Sequence, residues 1–258
     1  DISPVQGSLK KKIGTIGKRI LIVLIWLSVW QAVYMLVGQE LLVASPAGTF
    51  NRIVELAATS QFWSTVMLSM LRIFIGFATA VASGVLLAVL TTASSFLYSL
   101  FSPVIKIIKA TPVTSFIMLA LIWLGAPNVP SFTSFLMVLP IIWANVTEGI
   151  RTVSPQLIEM SKIYSFTRRQ KLKLIYIPNI MPFFSAALTT GLGLAWKAGI
   201  AAEVLGRPPF AIGTEIYNSK IYLNTADMFA WTTVVILLSM LFEYAFVLLM
   251  RRITLRRF

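Results

Sequence analysis

Six times along this chain an apolar run of about twenty residues recurs with little charge inside it: 20–37, 66–90, 101–124, 132–150, 183–202 and 229–250. About twenty such residues, wound as a helix, cross the ~30 Å hydrocarbon layer of a bilayer. Lipid offers the backbone no hydrogen-bond partner, so each run has to satisfy its own N–H and C=O groups, and a helix does that. The expected fold is therefore all-α, a polytopic membrane bundle of six transmembrane helices. Residues 20–250 would form one membrane domain between a basic segment, 1–19, and a basic tail, 251–258. The rival, a soluble protein with a large core, fits poorly. The chain is 57% apolar and only 12% charged, against about half and about a quarter in soluble domains.

Orientation is read from the basic residues beside the runs. Lys10, Lys11, Lys12, Lys18 and Arg19 precede the first run. Arg151, Lys162, Arg168, Arg169, Lys171 and Lys173 lie between the fourth and fifth. Arg251, Arg252, Arg256 and Arg257 follow the sixth. An even number of spans puts all three segments on one side, expected to be the cytoplasm of a bacterial cell, with both termini inside. Charge placed this way orients a membrane protein and argues against nucleic acid as the partner behind the pI of about 10.3. No small-residue cleavage pattern follows the first run, which reads as a retained helix.

The chain has no Cys and no His, which excludes disulfides, thiolate metal sites, Cys nucleophiles and the usual general base. No catalytic residue, metal site or cofactor is expected in this chain. Two segments on the outer side, 41–65 and 204–228, are long enough to hold interfacial helices, the first starting at Ser45-Pro46. Gly76, Ala80, Gly84 and Ala88, and Ala187, Gly191, Ala195 and Gly199, place a small residue on every fourth position of two spans, which lets helix backbones approach closely in lipid.

The loop 151–177 interrupts the apolar pattern. Ser154 and Pro155 suit an N-cap and a first helical position, and Leu157, Met160 and Tyr164 then fall on one stripe. The bland reading is a short helix resting on the lipid surface. Glu159, Ser165, Ile175 and Pro178 also stand at the spacing of the EAA motif, E-A-A, three residues, G, nine residues, I-x-L-P, so the loop resembles the cytoplasmic loop of ATP-binding-cassette (ABC) importer permeases. Met160 and Ser161 replace the two Ala of that motif, Ser165 its Gly and Ile177 its Leu. LLVASPAGTF, TVMLSMLRIFIGF, IKATPVTSFIMLALIWLGA, AWKAGIAAEVLG and LFEYAFVLLMRRITLRRF extend the resemblance over nearly all of the chain after residue 20. They are similar to segments of the nitrate/taurine/alkanesulfonate group of MetI-like permeases.

The resemblance implies a permease subunit of an ATP-driven, binding-protein-dependent importer for a small solute: a small anion such as a sulfonate, nitrate or bicarbonate, or a vitamin-precursor-like compound. It implies a second copy of the chain, two cytoplasmic ABC ATPases carrying the ATP and Mg, and an extracytoplasmic substrate-binding protein. The helix 153–166 would be the coupling helix, with Glu159, Met160, Ser161, Ser165 and Phe166 as its contact. No G-x-x-x-x-G-K-[ST] loop occurs here; Gly14-Thr15-Ile16-Gly17-Lys18 lacks the spacing. A stand-alone secondary transporter or channel is the alternative, and would call for inverted repeats and poised intramembrane carboxylates.

Ionisable residues inside spans are functional candidates by default. Lys197 is expected on the substrate pathway, with Trp196 beside it and with the hydroxyls of Thr111, Thr114 and Ser115, where Pro112 breaks the third span. Snorkelling to the outer surface is the structural alternative. Depth alone predicts ion pairs near each end of the bundle: Arg72 with Glu203, and Lys109 (or Lys106) with Glu243 (or Glu148).

Overall fold

A computed structural model describes the backbone of residues 3–255 and the side chains of residues 17, 18 and 20–248. Lys10, Lys11, Lys12, Arg19, Arg251, Arg252, Arg256 and Arg257 lie outside the described side chains. The described residues form helices and connecting turns. In chain order these are α1 (Ser3–Val37), α2 (Pro46–Ala57), α3 (Ser60–Ala93), α4 (Ser95–Ala110), α5 (Val113–Leu124), α6 (Val129–Arg151), α7 (Pro155–Ile163), α8 (Arg168–Lys171), a π-helical turn (Leu172–Tyr176), α9 (Ile177–Gly206), α10 (Ile212–Ile221) and α11 (Thr225–Leu255).

Five of these segments are long and apolar enough to cross a membrane: Ile20–Val37, Ser60–Ala93, Val129–Arg151, Arg168–Gly206 and Thr225–Leu248. The remaining run, the third (101–124), is not one helix. It is α4 and α5, bent by 105° at a break between them. Pro112 is the cause. It has no N–H to continue the ladder, and it drives the residue before it out of the helical region; Thr111 is extended, with φ −79° and ψ 131°. The local chemistry of the other boundaries is equally plain. Ser45, Thr59 and Ser94 each accept the backbone N–H three residues ahead, starting α2, α3 and α4.

The core is α3, α6 and α9. Both small-residue stripes face it. A Cβ at Gly76 would collide with the Ser131 carbonyl, one at Gly84 would lie 2.8 Å from Ile142 Cβ, and one at Gly199 would lie 2.5 Å from Ile73 Cγ1. Backbones this close leave room for direct polar ties. Ser131 Oγ donates to the Arg72 carbonyl at 2.7 Å, Ser134 Oγ to the Ala195 carbonyl at 3.0 Å, and Trp143 Nε1 to Thr91 Oγ1 at 2.9 Å. Helix α1 lies at the margin, exposed over its apolar length. Trp30 holds it, donating to the Ala44 carbonyl at 3.0 Å and stacking on Phe229. Because α6 and α9 run antiparallel, α7 and α8 sit at one end of the bundle and α2 and α10 at the other.

Candidate coupling and pathway sites

At the basic end, Val153 is buried and fixes the exit from α6. Ser154 and Pro155 then open α7 at the positions expected, although the Ser154 hydroxyl turns to Gln156 instead of capping. The helix ends in a Schellman motif. Ser165 takes left-handed backbone (φ 51°), its N–H reaches the Lys162 carbonyl at 3.0 Å, and the Phe166 N–H reaches the Ser161 carbonyl at 2.8 Å. Serine thus makes the turn for which glycine is the usual residue. Thr167 and Gln170 follow with a capping box that starts α8.

This module presents an apolar face. Ile163 is 80% exposed and Tyr164 71%, with Leu157 and Met160 beside them and Glu159 at the edge. Two of the residues expected to make contact differ. Ser161 is 1% exposed, its hydroxyl donating to the Ile158 carbonyl at 2.6 Å, so it seats α7 on the bundle instead of facing outward. Phe166 is half-buried. The sequence reading missed Asn179. Its side-chain amide donates to the Gly149 carbonyl at 2.7 Å and to Thr152 Oγ1 at 3.3 Å, tying the end of α6 to the start of α9. A polar residue directly after Pro178, at the mouth of an apolar run, was the available signal.

Along α9, Lys197 is exposed, one turn beyond Gly193 on the face that α6 leaves uncovered. Its neighbour Trp196 is turned into the bundle. It is buried against Phe242 and donates to the Val235 carbonyl at 3.2 Å, which makes it a packing residue of the α9–α11 contact. Thr111 spends its hydroxyl on the Ile107 carbonyl at 2.8 Å, while Thr114 and Ser115 are exposed on the first turn of α5. Among the described residues no hydrogen bond joins these hydroxyls to Lys197.

Neither expected ion pair forms. Arg72 donates to the carbonyls of Pro209 (2.9 Å) and Phe210 (3.2 Å). Glu203 is fully buried, and its Oε2 accepts Ser69 Oγ at 2.9 Å and the Gly213 N–H at 3.1 Å. Backbone groups, invisible to a depth argument over side chains, took both partners. Glu243 borders an apolar cleft of about 230 Å³ with Met67, Met70, Phe74, Trp196 and Phe242. Lys109 forms no ion pair with it; α4 packs chiefly on α3 and α6. The ion pairs among the described residues are Arg52 with Asp227, through two nitrogens, and Arg52 with Glu55 at 2.7 Å. These contacts hold the Arg52 guanidinium in its charged form and join α2 to the start of α11.

Residues 80–257 match the family model of binding-protein-dependent transport system inner membrane components. The taurine transport system permease protein TauC of Escherichia coli K12 is 22% identical over 97% of this chain and 91% of its own length. The putative aliphatic sulfonates transport permease protein SsuC of Bacillus subtilis is 22% identical over 83% and 78%. The nitrate import permease protein NrtB of a Synechocystis strain is 28% identical over 54% and 51%. Among solved structures, a bacterial ABC transporter that imports alginate shares the fold at a TM-score of 0.65, with 16% identity over 95% of this chain and 97% of that one. The MetNI methionine transporter in an inward-facing form gives 0.59, with 20% identity over 74% and 93%.

Proposed function

Because this chain belongs to the family of binding-protein-dependent transport system inner membrane components, and is the permease subunit of an ABC importer, we propose that it works as one half of a two-copy channel driven through α7. The basic end faces the cytoplasm, so both termini lie inside. Each copy receives one cytoplasmic ATPase, and a binding protein delivers substrate to the opposite face.

The observation that carries this reading is the apolar face of α7. Leu157, Met160, Ile163 and Tyr164 stand exposed on a short helix whose two ends are fixed. An amphipathic helix of this kind fits a hydrophobic groove on a partner. The transmission path follows from the geometry. Asn179 ties the two ends of the loop together, and these are the ends of α6 and α9, which pack on each other in the core. Movement of the ATPase therefore reaches α6 and α9 together, as a rigid push on the core. ATP and Mg belong to the partner.

The substrate we propose is a small oxyanion. The permeases it resembles are named for taurine, aliphatic sulfonates, nitrate and bicarbonate. Lys197 is a cation on the uncovered face of α9, within a span, where a charge is costly unless it serves a path or a partner. Thr114 and Ser115 add hydroxyl donors.

Gentle purification of the chain from its own membranes tests the coupling. A near-stoichiometric ATPase should come with it, and should be lost from Ile163→Asp and Met160→Asp while the chain itself stays monodisperse and helical. A chain that emerges alone under several mild conditions points to the stand-alone transporter or channel. For the pathway, Lys197→Ala should cut oxyanion uptake at least tenfold; unchanged uptake and unchanged substrate-stimulated ATP hydrolysis would remove Lys197 from the path.

A further inference from the structure

The end of the bundle opposite α7 holds some of its most constrained backbone. Residues 207–211 connect α9 to α10, and two of them, Arg207 (φ 50°) and Phe210 (φ 49°), hold left-handed backbone without being glycine. Such conformations are disfavoured and persist only where the surroundings over-determine them. Thr214 Oγ1 donates to the Pro208 carbonyl at 2.7 Å and Arg207 lies over the Tyr217 ring, and three side chains of the core complete the surroundings. The Arg72 guanidinium donates to the carbonyls of Pro209 and Phe210. Ser69 Oγ accepts the Ile212 N–H at 2.9 Å and donates to Glu203 Oε2, which also accepts the Gly213 N–H.

Ala211 stands at the N-cap position of α10 with no side-chain oxygen to offer. The first N–H groups of that helix are orphans by construction. Two are capped from elsewhere in the fold, by α3 through Ser69 and by α9 through Glu203. Gly213 allows the approach, since a Cβ there would sit 2.5 Å from both Glu203 Cβ and Val204 N. A carboxylate with no exposure, deep in a membrane protein, therefore spends one oxygen as a helix cap.

We infer that Ser69, Arg72 and Glu203 are positioning residues for transport: they make the segment 207–213 a rigid extension of the α3–α6–α9 core. The outer mouth then travels with the core as one body and does not refold during the cycle. This rests on the reading of the chain as a permease subunit with this end facing outward. The loop's own residues fit the role, because a loop built to refold would carry glycine where Arg207 and Phe210 stand.

The test uses the transporter purified with its ATPase in lipid nanodiscs. Hydrogen exchange is read at the Ile212 and Gly213 amides, nucleotide-free and trapped with ATP and vanadate. Wild-type protection at both amides should agree between the two states within about threefold. Ser69→Ala should speed exchange at Ile212 about tenfold, as the loss of one hydrogen bond allows. Glu203→Leu should speed both amides and lower uptake at least tenfold while ATP hydrolysis continues. Glu203→Gln keeps an acceptor oxygen and should hold uptake within about threefold of wild type. Wild-type protection that differs tenfold between states overturns the inference, as does normal uptake by Glu203→Leu, or a Glu203→Gln as defective as the leucine variant. If the leucine variant cannot be purified, the wild-type and Ser69→Ala exchange decide. A preparation whose amides behave as stated but which shows no nucleotide-driven uptake refutes the transport reading, not the clamp.

Discussion

The two ends of this bundle are held by different kinds of bond. The segment leading into α10 has bonds from Glu203 and Thr214 nearby, but its anchors to the core come from far away in sequence: Ser69 and Arg72 reach it across more than 130 positions. The α7–α8 module is shaped by its neighbours in sequence, through a Schellman turn at Ser165 and a capping box at Thr167. Long-range bonds fix where a segment sits. Short-range bonds fix its shape and leave its surface free. A module that must fit a separate protein benefits from the second arrangement, and a mouth that must keep its form while helices move benefits from the first.

Substitutions can break this contrast at the pinned end first. Gly213→Ala forces a methyl into the backbone of Val204 and the side chain of Glu203, and should cost about 3 kcal/mol, in the range of overpacked cores. The same change at Gly193, where a Cβ meets nothing within 4 Å, should be neutral. Thermal unfolding of the two variants in one detergent checks the pair, and equal melting temperatures would erase the distinction. Asn179→Ala removes the side-chain staple between the end of α6 and the start of α9, which closes the loop carrying α7, and should cost about 1 kcal/mol. Its larger signature is functional: ATP hydrolysis should continue while uptake falls several-fold, which a vesicle assay of both rates would reveal.

Smaller effects sharpen the contrast. Ser165→Gly should stabilise the α7 turn by about 0.5–1 kcal/mol, because left-handed backbone is free for glycine. Slower exchange at the Phe166 amide would report it, and no change would mean that the turn is held from outside the module. At the other end, burial first and then the charge of Asp227 push the Glu215 carboxyl above its usual value of 4.5. The folded state therefore keeps that proton longer than the unfolded chain does. Stability falls as pH rises from about 4.5 through the folded value, and is level beyond it. Glu215→Gln should accordingly raise the melting temperature slightly at pH 7.5 and leave it unchanged at pH 4. A gain at pH 4 as large as at pH 7.5 would show that the effect is not ionisation.

Much of the fold was legible because it rests on local chemistry. Apolar runs of bilayer length gave the spans, Ser45 and Pro155 marked helix starts, and Pro112 marked the break in the third run. The size of that break, 105°, was not legible, since it depends on what α4 and α5 pack against. The small-residue stripes on α3 and α9 announced close packing without naming the partners, which are α6 for the first and α6 together with α3 for the second. In the candidate sites, the exposed face of α7 followed from helical periodicity, whereas the inward turn of Ser161 and Trp196 did not, because the side of a helix that neighbours cover is a property of those neighbours.

The sequence by itself determined that this chain crosses a membrane as helices, which stretches of it are apolar enough to do so, and that a short amphipathic helix hangs between α6 and α9. These follow from interactions within a few residues. Only the tertiary structure decided what the buried charges do. Arg72 and Glu203 attract each other on paper, yet each binds backbone groups of the 207–213 segment instead. Hydrogen bonding acts over about 3 Å, and which groups come within that distance is set by how the helices pack.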